Sequence, residues 1–282
     1  MPAAPSPFVS TEWLAANLGA PDLVVVDASW HLAPTGRDGR AEFLERHIPG
    51  AVFFDLDGIS DHSSSLPHML PDPNTFAREV SALGIGDGLR IVVYDALGLF
   101  SAPRVWWTFK AFGASEVMLL DGGLPKWLAE ERETESGPAT RAPSHFTARL
   151  DRTVVADTAQ VERALGTGSA QLLDARSKER FAGTAPEPRT GLPSGHMPGA
   201  LNLPHSAVVA DGRLADADTI RTAVDGAGLD LARPVITTCG SGVSAAILWL
   251  ALERIGKRPL ALYDGSWSEW ASSGKPVETD GA

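Results

Sequence analysis

The chain repeats itself once, and this repeat constrains its fold more than any other feature of the sequence. The apolar run Leu23–Asp27 recurs 147 residues later in the run that ends at Asp174. The segment His47–Ala51 recurs 149 residues later as His196–Ala200. Two further matches follow in the same order, at offsets of 144 and 143 residues: Ile91–Asp95 with Val235–Cys239, and Leu120–Trp127 with Tyr263–Trp270. Four ordered matches indicate two copies of one folding unit, and two copies are too few for a solenoid.

Each copy alternates short apolar strands with helical stretches, a pattern that predicts parallel sheets covered by helices. We therefore expect an α/β fold of two tandem domains, each a mostly parallel sheet with helices on both faces. Ser10 and Asp157 stand directly before the first helical stretch of each copy and are the expected N-caps. The stretch 136–149 is rich in Pro, Ser, Thr and Gly, and it predicts a linker between domains at 1–135 and 150–282.

Composition and charge exclude several classes of function. A net charge of −11 argues against nonspecific binding to nucleic acid or to an anionic membrane. The single cysteine excludes an internal disulfide and a cysteine-based zinc cluster, and it fits a reducing compartment. Residues 1–7 show neither the basic nor the apolar part of a signal peptide, and no stretch of 18 apolar residues occurs, which together predict a cytoplasmic protein.

The single cysteine, Cys239, lies in a loop that favours reactivity. The run Pro234–Thr238 before it predicts a buried strand, and Val243–Glu253 after it predicts a helix. Ligands of open α/β sheets bind beyond the carboxyl ends of the strands, and backbone N–H groups converge at a helix N-terminus. Such a site stabilises the thiolate, which is the nucleophilic form of cysteine. The alternative is an unreactive core cysteine. Copy one has Asp95 at the matching position and therefore no thiol.

The tandem repeat, the two His-x-Pro-Gly-Ala segments, Pro186–Arg189 and the loop Cys239–Val243 resemble two-domain sulfurtransferases of the rhodanese superfamily. The loop is similar to that of the family's 3-mercaptopyruvate sulfurtransferases. The resemblance implies that Cys239 takes a sulfur atom from a small-molecule donor as a persulfide, with no metal and no organic cofactor. It implies release of pyruvate when the donor is 3-mercaptopyruvate, and transfer of the sulfur to a thiol such as thioredoxin, or to cyanide.

The side chains near Cys239 indicate which sulfur donor the protein uses. Thiosulfate-preferring members of the family carry cations in the loop, whereas this loop is neutral, which favours 3-mercaptopyruvate; the loop residues expected to bind substrate are Gly240, Gly242, Val243 and Ser244. Arg180 and Arg189 match the family's substrate-binding arginines. A guanidinium fork suits a carboxylate beside a carbonyl. The alternative for both is an ordinary solvated arginine.

The family's Ser-His-Asp relay corresponds here to Ser241, His68 and Asp61. Such a relay supplies the proton that the enolate leaving group needs. His62 competes with His68 because it follows Asp61 directly. Ser244 stands where the family usually has Thr, and its hydroxyl is expected to cap the following helix.

Other conspicuous residues are expected to be structural. His47 and His196 recur in both copies and are predicted to fix turns. Asp27 and Asp174 are predicted to accept hydrogen bonds from loop N–H groups, and Trp267 is a candidate to line the cleft.

Three other functions are weighed against 3-mercaptopyruvate sulfurtransfer. A cysteine phosphatase requires Arg six residues after the cysteine, where this chain has Ala245, so that class is excluded. A thiosulfate:cyanide sulfurtransferase and a non-catalytic sulfur- or anion-binding module stay as alternatives.

Overall fold

The computed structural model describes residues 6–280, which form two compact units. Unit 1 contains the described residues up to Asp61, together with Leu70–Asp151 and Asp211–Arg213. Unit 2 contains His62–Met69, Arg152–Ala210 and the described residues from Leu214 on. Each unit therefore includes a short segment from the other half of the chain.

Unit 1 is built on a five-stranded, all-parallel sheet with the strand order β1-β5-β4-β2-β3. Its strands are β1 (Phe8–Val9), β2 (Leu23–Asp27), β3 (Val52–Phe53), β4 (Arg90–Tyr94) and β5 (Glu116–Leu120). Its helices are α1 (Thr11–Asn17), α2 (Gly39–Glu45), α3 (Pro73–Ala82), α4 (Ala102–Ala111) and α5 (Gly123–Ala129). Strand β2 is buried along its whole length and is apolar up to its last residue, Asp27, as expected when helices cover both faces of a parallel sheet.

Unit 2 repeats this architecture with the strand order β6-β12-β11-β7-β8, again all parallel. The strands are β6 (Val155–Ala156), β7 (Gln171–Asp174), β8 (Leu201–Asn202), β11 (Val235–Thr238) and β12 (Ala261–Tyr263). The helices are α6 (Thr158–Thr167), α7 (Lys178–Ala182), α8 (Ala217–Gly226), α9 (Ala245–Arg254) and α10 (Ser266–Ser272). A small hairpin, β9 (Val209–Ala210) and β10 (Arg213–Leu214), precedes α8. The equivalent strand orders confirm the predicted tandem α/β fold.

The predicted helix starts are confirmed at both N-termini. The Ser10 side chain accepts a hydrogen bond from Trp13 N at the start of α1. Asp157 and Gln160 form a reciprocal capping box at the start of α6. The prediction for Ser244 is wrong: it is the N-cap residue of α9, but within residues 6–280 its hydroxyl makes no cap hydrogen bond. Its backbone is helical (φ −71°, ψ −13°), whereas a capping side chain needs an extended backbone.

The repeated histidines have equivalent structural roles. His47 Nδ1 lies 2.8 Å from Phe43 O, and His196 Nδ1 lies 2.9 Å from Phe181 O. Each ring stacks on the phenylalanine whose carbonyl it contacts, with centroids 4.0 Å apart in unit 1 and 3.9 Å apart in unit 2. A carbonyl oxygen only accepts, so Nδ1 carries the proton in both rings. The prediction that these histidines fix turns is confirmed.

The repeated aspartates also behave as predicted. Asp27 Oδ1 accepts from Ser29 N at 2.8 Å, and Asp174 Oδ1 accepts from Arg176 N at 2.9 Å. Both carboxylates therefore hold the backbone just beyond a strand end.

The stretch predicted as a linker, 136–149, contains no helix or strand. Its Phe146 is buried in unit 1 and packs edge-on against Phe76 and Phe109. The predicted domain limits stay a prediction. In the described part of the chain, no helix is both long and apolar enough to cross a bilayer.

Candidate active site

Cys239 lies directly after β11, at the carboxyl edge of the unit 2 sheet, and is 2% exposed. The loop Gly240–Ser244 connects it to α9, whose residues Ala245–Leu252 are all buried. Gly242 turns the loop with a left-handed backbone (φ +78°), a conformation that glycine adopts without strain. Trp267 N donates a hydrogen bond to Cys239 O at 2.9 Å. The cysteine is therefore held at the strand end where the sequence predicts it.

The matching loop of unit 1 shows what the backbone of this turn does. Asp95 follows β4, and its carboxylate accepts hydrogen bonds of 2.7–2.9 Å from four backbone N–H groups; the donors are Leu97, Phe100, Ser101 and Ala102. Successive N–H groups of such a loop form a concavity that binds an anion. In unit 1 the chain's own carboxylate occupies that concavity.

A cation lies against the unit 2 loop. Arg180 on α7 places Nη2 2.9 Å from the point that a Cβ atom on residue 240 would occupy. Glycine at position 240 therefore leaves room for the guanidinium. Glu187 orients this group, because its carboxylate accepts from Arg180 Nη2 at 2.6 Å and from Nε at 3.2 Å. The Glu187 side chain is only 3% exposed, so its negative charge is committed to its arginine partners.

Glu187 has a second partner, Arg176, which donates to its Oε1 from Nη1 at 2.9 Å. Arg176 is fully buried, pairs with the Asp174 carboxylate and lies over the Trp267 ring at 4.3 Å. Trp267 is itself 0% exposed and donates from Nε1 to Pro193 O, so the prediction that it lines a cleft is wrong. These ion pairs form a series of alternating charge, which runs from Asp174 through Arg176 and Glu187 to Arg180.

Sequence reasoning missed Arg176 and Glu187, although two signals were present. Glu187 stands between two prolines, and Arg176 replaces Ser29 of the first copy.

The charge of Arg180 also affects His205, which lies in a short 3-10 turn after β8. Burial lowers the pKa of His205, and the positive charge of Arg180 adds to that shift, whereas a hydrogen bond to Ala175 O opposes it. His205 is therefore neutral at physiological pH, and Arg180 remains the cation beside the loop.

His68 belongs to unit 2, and its Nδ1 lies 3.0 Å from Ser241 Oγ. It is 3% exposed and has a left-handed backbone (φ +61°). We call His62–Met69 of unit 2 and Asp211–Arg213 of unit 1 the exchanged segments, because each comes from the other half of the chain. His62 lies in the same exchanged segment as His68 but is exposed. The hydrogen bond to Ser241 thus comes from His68. Asp61 belongs to unit 1, so the third member of the predicted relay stays a prediction.

Arg189 lies between Pro188 and Thr190, in the stretch that connects α7 to His196, and it is partly buried. Its role as a substrate-binding residue stays a prediction.

Comparison with known proteins agrees with this fold. The family model for the rhodanese-like domain matches residues 10–130 and again residues 157–273. The chain therefore belongs to the rhodanese-like family, with two copies of its domain.

Named relatives cover nearly the whole chain. Human 3-mercaptopyruvate sulfurtransferase is 43% identical over 278 residues, which span 96% of this chain and 94% of the relative. Bovine thiosulfate sulfurtransferase is 42% identical over 277 residues, spanning 95% and 93%. The crystal structure of SseA from Escherichia coli, described as a 3-mercaptopyruvate sulfotransferase, has a TM-score of 0.86 at 39% identity and covers 93% of this chain and 99% of its own.

Proposed function

We propose that this protein is a 3-mercaptopyruvate sulfurtransferase in which Cys239 carries the sulfur. One observation supports the choice of donor above the others: the loop itself is neutral, and the cation beside it, Arg180, lies against Gly240. A donor with a carboxylate remote from its sulfur fits this arrangement, because the charge binds to Arg180 while the sulfur reaches Cys239. Similarity to human 3-mercaptopyruvate sulfurtransferase supports the same donor.

The first step follows from the chemistry of a thiolate. The Cys239 thiolate attacks the sulfur of 3-mercaptopyruvate; an S–S bond forms and the C–S bond breaks. The bonding pair stays on carbon and gives the enolate of pyruvate. The thiol proton of the donor moves to that carbon, so the products are pyruvate and the Cys239 persulfide anion.

The proton transfer is the proposed role of Ser241 and His68. Their side chains are in hydrogen-bond contact at 3.0 Å, and histidine exchanges protons near neutral pH. Asp61 is the proposed orienting carboxylate. This assignment uses a pair that is already buried beside the loop.

The persulfide is an anion, and hydrogen-bond donors are needed to stabilise it. We assign this role to the backbone N–H groups of the loop, including Gly240, Gly242, Val243 and Ser244. The unit 1 loop supports the assignment, since four N–H groups of the matching turn converge on the Asp95 carboxylate. Arg180 and Arg189 are the proposed ligands of the substrate carboxylate and carbonyl.

The second step moves the outer sulfur to an acceptor. The sulfur of a thiol acceptor attacks it and forms a new S–S bond, while the S–S bond of the Cys239 persulfide breaks. The Cys239 thiolate is regenerated, and the acceptor leaves as a persulfide that carries the proton of its thiol. The proposed acceptor is a small thiol or a thioredoxin-like protein, with cyanide as an assay substitute. No nucleic acid, membrane or cofactor enters the proposal. A cytoplasmic location stays a prediction.

A second candidate donor is thiosulfate, which similarity to bovine thiosulfate sulfurtransferase favours. The deciding experiment follows pyruvate release and intact protein mass with 3-mercaptopyruvate, in parallel with thiosulfate. We expect rapid pyruvate release and the gain of one sulfur atom on Cys239. Sulfur gain mainly from thiosulfate would move the assignment to the second donor. No gain from either donor would overturn the enzyme assignment in favour of a binding module.

A further inference from the structure

The start of α10 lies beneath the Cys239 loop in unit 2, and one of its residues has an unusual backbone. Ser266 has φ +51°, in the left-handed region that glycine adopts freely and that is uncommon for serine. The matching residue of unit 1 is Gly123, with φ +53°. The fold thus requires a left-handed residue here, and unit 2 meets the requirement with a strained serine.

The space around the two residues differs as well. In unit 1, a Cβ atom on Gly123 would lie 2.7 Å from Asp95 O and 2.8 Å from Gly98 Cα, so no side chain fits. In unit 2, the Ser266 side chain is accommodated and is 0% exposed. The Cys239 loop therefore leaves room for a hydroxyl that the Asp95 loop excludes.

The Ser266 hydroxyl uses its full hydrogen-bonding capacity on the strand and the loop. It donates to Tyr263 O at 2.7 Å, and it accepts from Thr238 Oγ1 at 3.2 Å and from Cys239 N at 3.3 Å. A hydroxyl has one donor and two acceptor sites, so all three are occupied. Strained residues of this kind persist where surrounding structure holds them, and they cluster at functional sites.

Ser268 adds two further contacts from the same helix turn. Its N–H donates to Gly240 O at 2.9 Å and its Oγ donates to the same oxygen at 2.7 Å. Unit 1 has Pro125 at the matching position, which has no N–H to donate. Together with Trp267 N on Cys239 O, these bonds fix both peptide groups that flank the cysteine.

We infer that Ser266 is a positioning residue for the nucleophile: it fixes the Cys239 peptide so that the loop N–H groups face the sulfur. The inference rests on the proposed function. It assigns no contact with substrate to Ser266. Ser268 supports the same loop more weakly, because its backbone N–H remains when its hydroxyl is removed.

The test compares Ser266→Gly with the wild type and with a matched control. Ser266→Gly removes the hydroxyl and also relieves the left-handed strain, so the melting temperature should change little while kcat falls. We expect kcat with 3-mercaptopyruvate to fall about tenfold, with KM within about twofold. Glu131→Gly is the control: Glu131 also has a left-handed backbone (φ +54°), and it lies just beyond α5 in unit 1. That variant should melt higher with unchanged kinetics.

A second measurement needs no sulfur donor. Because the chain has one cysteine, the rate of alkylation against pH reports Cys239 alone. The midpoint of that profile should rise by about half a pH unit or more in Ser266→Gly, since a loosened loop stabilises the thiolate less. A wild-type kcat together with a wild-type alkylation profile would overturn the inference.

Two outcomes separate this inference from the proposed function. If the wild type releases no pyruvate from 3-mercaptopyruvate, the proposed function fails, whereas the alkylation profile still decides the role of Ser266. If Ser266→Gly does not fold, Ser268→Ala takes its place. A folded Ser268→Ala should lose about threefold in kcat at an unchanged KM, and a wild-type kcat there would contradict the positioning role of this helix turn.

Discussion

The turn after β4 and the turn after β11 occupy the same position in two equivalent sheets, but different residues stand at their bases. In unit 1 the Asp95 carboxylate accepts four backbone N–H groups and fills its own loop. In unit 2 a thiol stands at that position, with Arg180 against the loop. The comparison shows that this turn binds a carboxylate in unit 1, and it supports the proposal that the matching turn of unit 2 is open to an external anion.

The residues that contact the two loops from the exchanged segments also differ. Gly212 belongs to unit 1 and has φ +69°; a Cβ atom there would lie 3.0 Å from Leu97 O. His68 belongs to unit 2, has φ +61° and contacts Ser241, the residue that matches Leu97. Both loops are therefore contacted by a left-handed residue from an exchanged segment. Only in unit 2 does that residue carry an ionisable ring.

The largest effect is expected when the thiol is removed. Cys239→Ser should lower sulfur transfer about a thousandfold or more, because a hydroxyl cannot accept the donor's sulfur. Initial rates of pyruvate release and intact mass check this, and retained turnover would contradict the proposed mechanism.

The double variant Asp95→Cys/Cys239→Ser sharpens the test by placing the thiol in the unit 1 loop. We expect no recovery of activity, since Leu97 and Gly212 replace the Ser241–His68 pair there. Thermal unfolding verifies that the variant is folded, and recovered turnover would show that the loop alone suffices.

The next largest effect is expected at His68, whose ionisable ring has no equivalent in the exchanged segment of unit 1. His68→Asn should lower kcat about a hundredfold with little change in KM, because asparagine tolerates a left-handed backbone but moves no proton. Ser241→Ala should cause a similar loss, and the double variant should lose no more than either single one. Full additivity of the two losses would show that they do not act as a pair.

A smaller effect is expected from the arginine whose role is not yet tested. Arg189→Ala should raise KM for 3-mercaptopyruvate about tenfold and leave kcat within about twofold, since one charge-assisted contact to the carboxylate is lost. Arg221→Ala on α8 is the matched control, because Arg221 is half exposed and pairs with Asp218. An unchanged KM in Arg189→Ala would remove this residue from the site.

A further effect, on stability rather than on activity, is expected at the strand end that Asp27 occupies. Burial raises the pKa of Asp27 to about 6, against the opposing effect of its hydrogen bonds with Ser29. The unfolded carboxyl group titrates near about 3.9, so the free energy of unfolding falls as pH rises from about 4 to about 6. The full effect is about 3 kcal/mol.

Asp27→Asn removes this contribution, so its stability relative to wild type should increase across that window. Denaturant unfolding at several pH values measures the difference. Asp72→Asn controls for the sign, because hydrogen bonds from Thr75 and Asn74 lower the pKa of Asp72. Its stability relative to wild type should decrease as pH rises toward the unfolded pKa of about 3.9, and it should vary little above that pH. A difference for Asp27→Asn that does not vary with pH would show that Asp27 does not titrate in this range.

The sequence predicts those features that depend on local pattern or on the repeat. Apolar runs fix β2 and β11, and side-chain caps at Ser10 and Asp157 fix the first helices, because these signals act within a few residues. The position of Cys239 follows from the strand before it. Contacts between distant segments have no such signal. The spacing of the sequence does not predict which arginine side chains pair with Glu187.

The conformation of Ser266 is hidden for a different reason. A serine does not indicate a left-handed backbone, whereas a glycine, such as the one that matches it in the repeat, is typical of that conformation. The match of Leu120–Trp127 with Tyr263–Trp270 pairs Gly123 with Ser266, and this pairing is the signal that the sequence holds for the conformation. The wrong prediction for Ser244 arises from geometry too, since a hydroxyl at the right position caps only when the backbone is extended.

The exchange of segments has an evolutionary consequence. His68 is encoded in the half of the gene that otherwise builds unit 1, while Cys239 is encoded in the other half. A cut between the halves would leave the thiol without the imidazole that contacts Ser241. On the proposed mechanism the half that lacks the thiol is therefore needed for the reaction, and the gene cannot be divided into two independent parts without loss of the proposed proton relay.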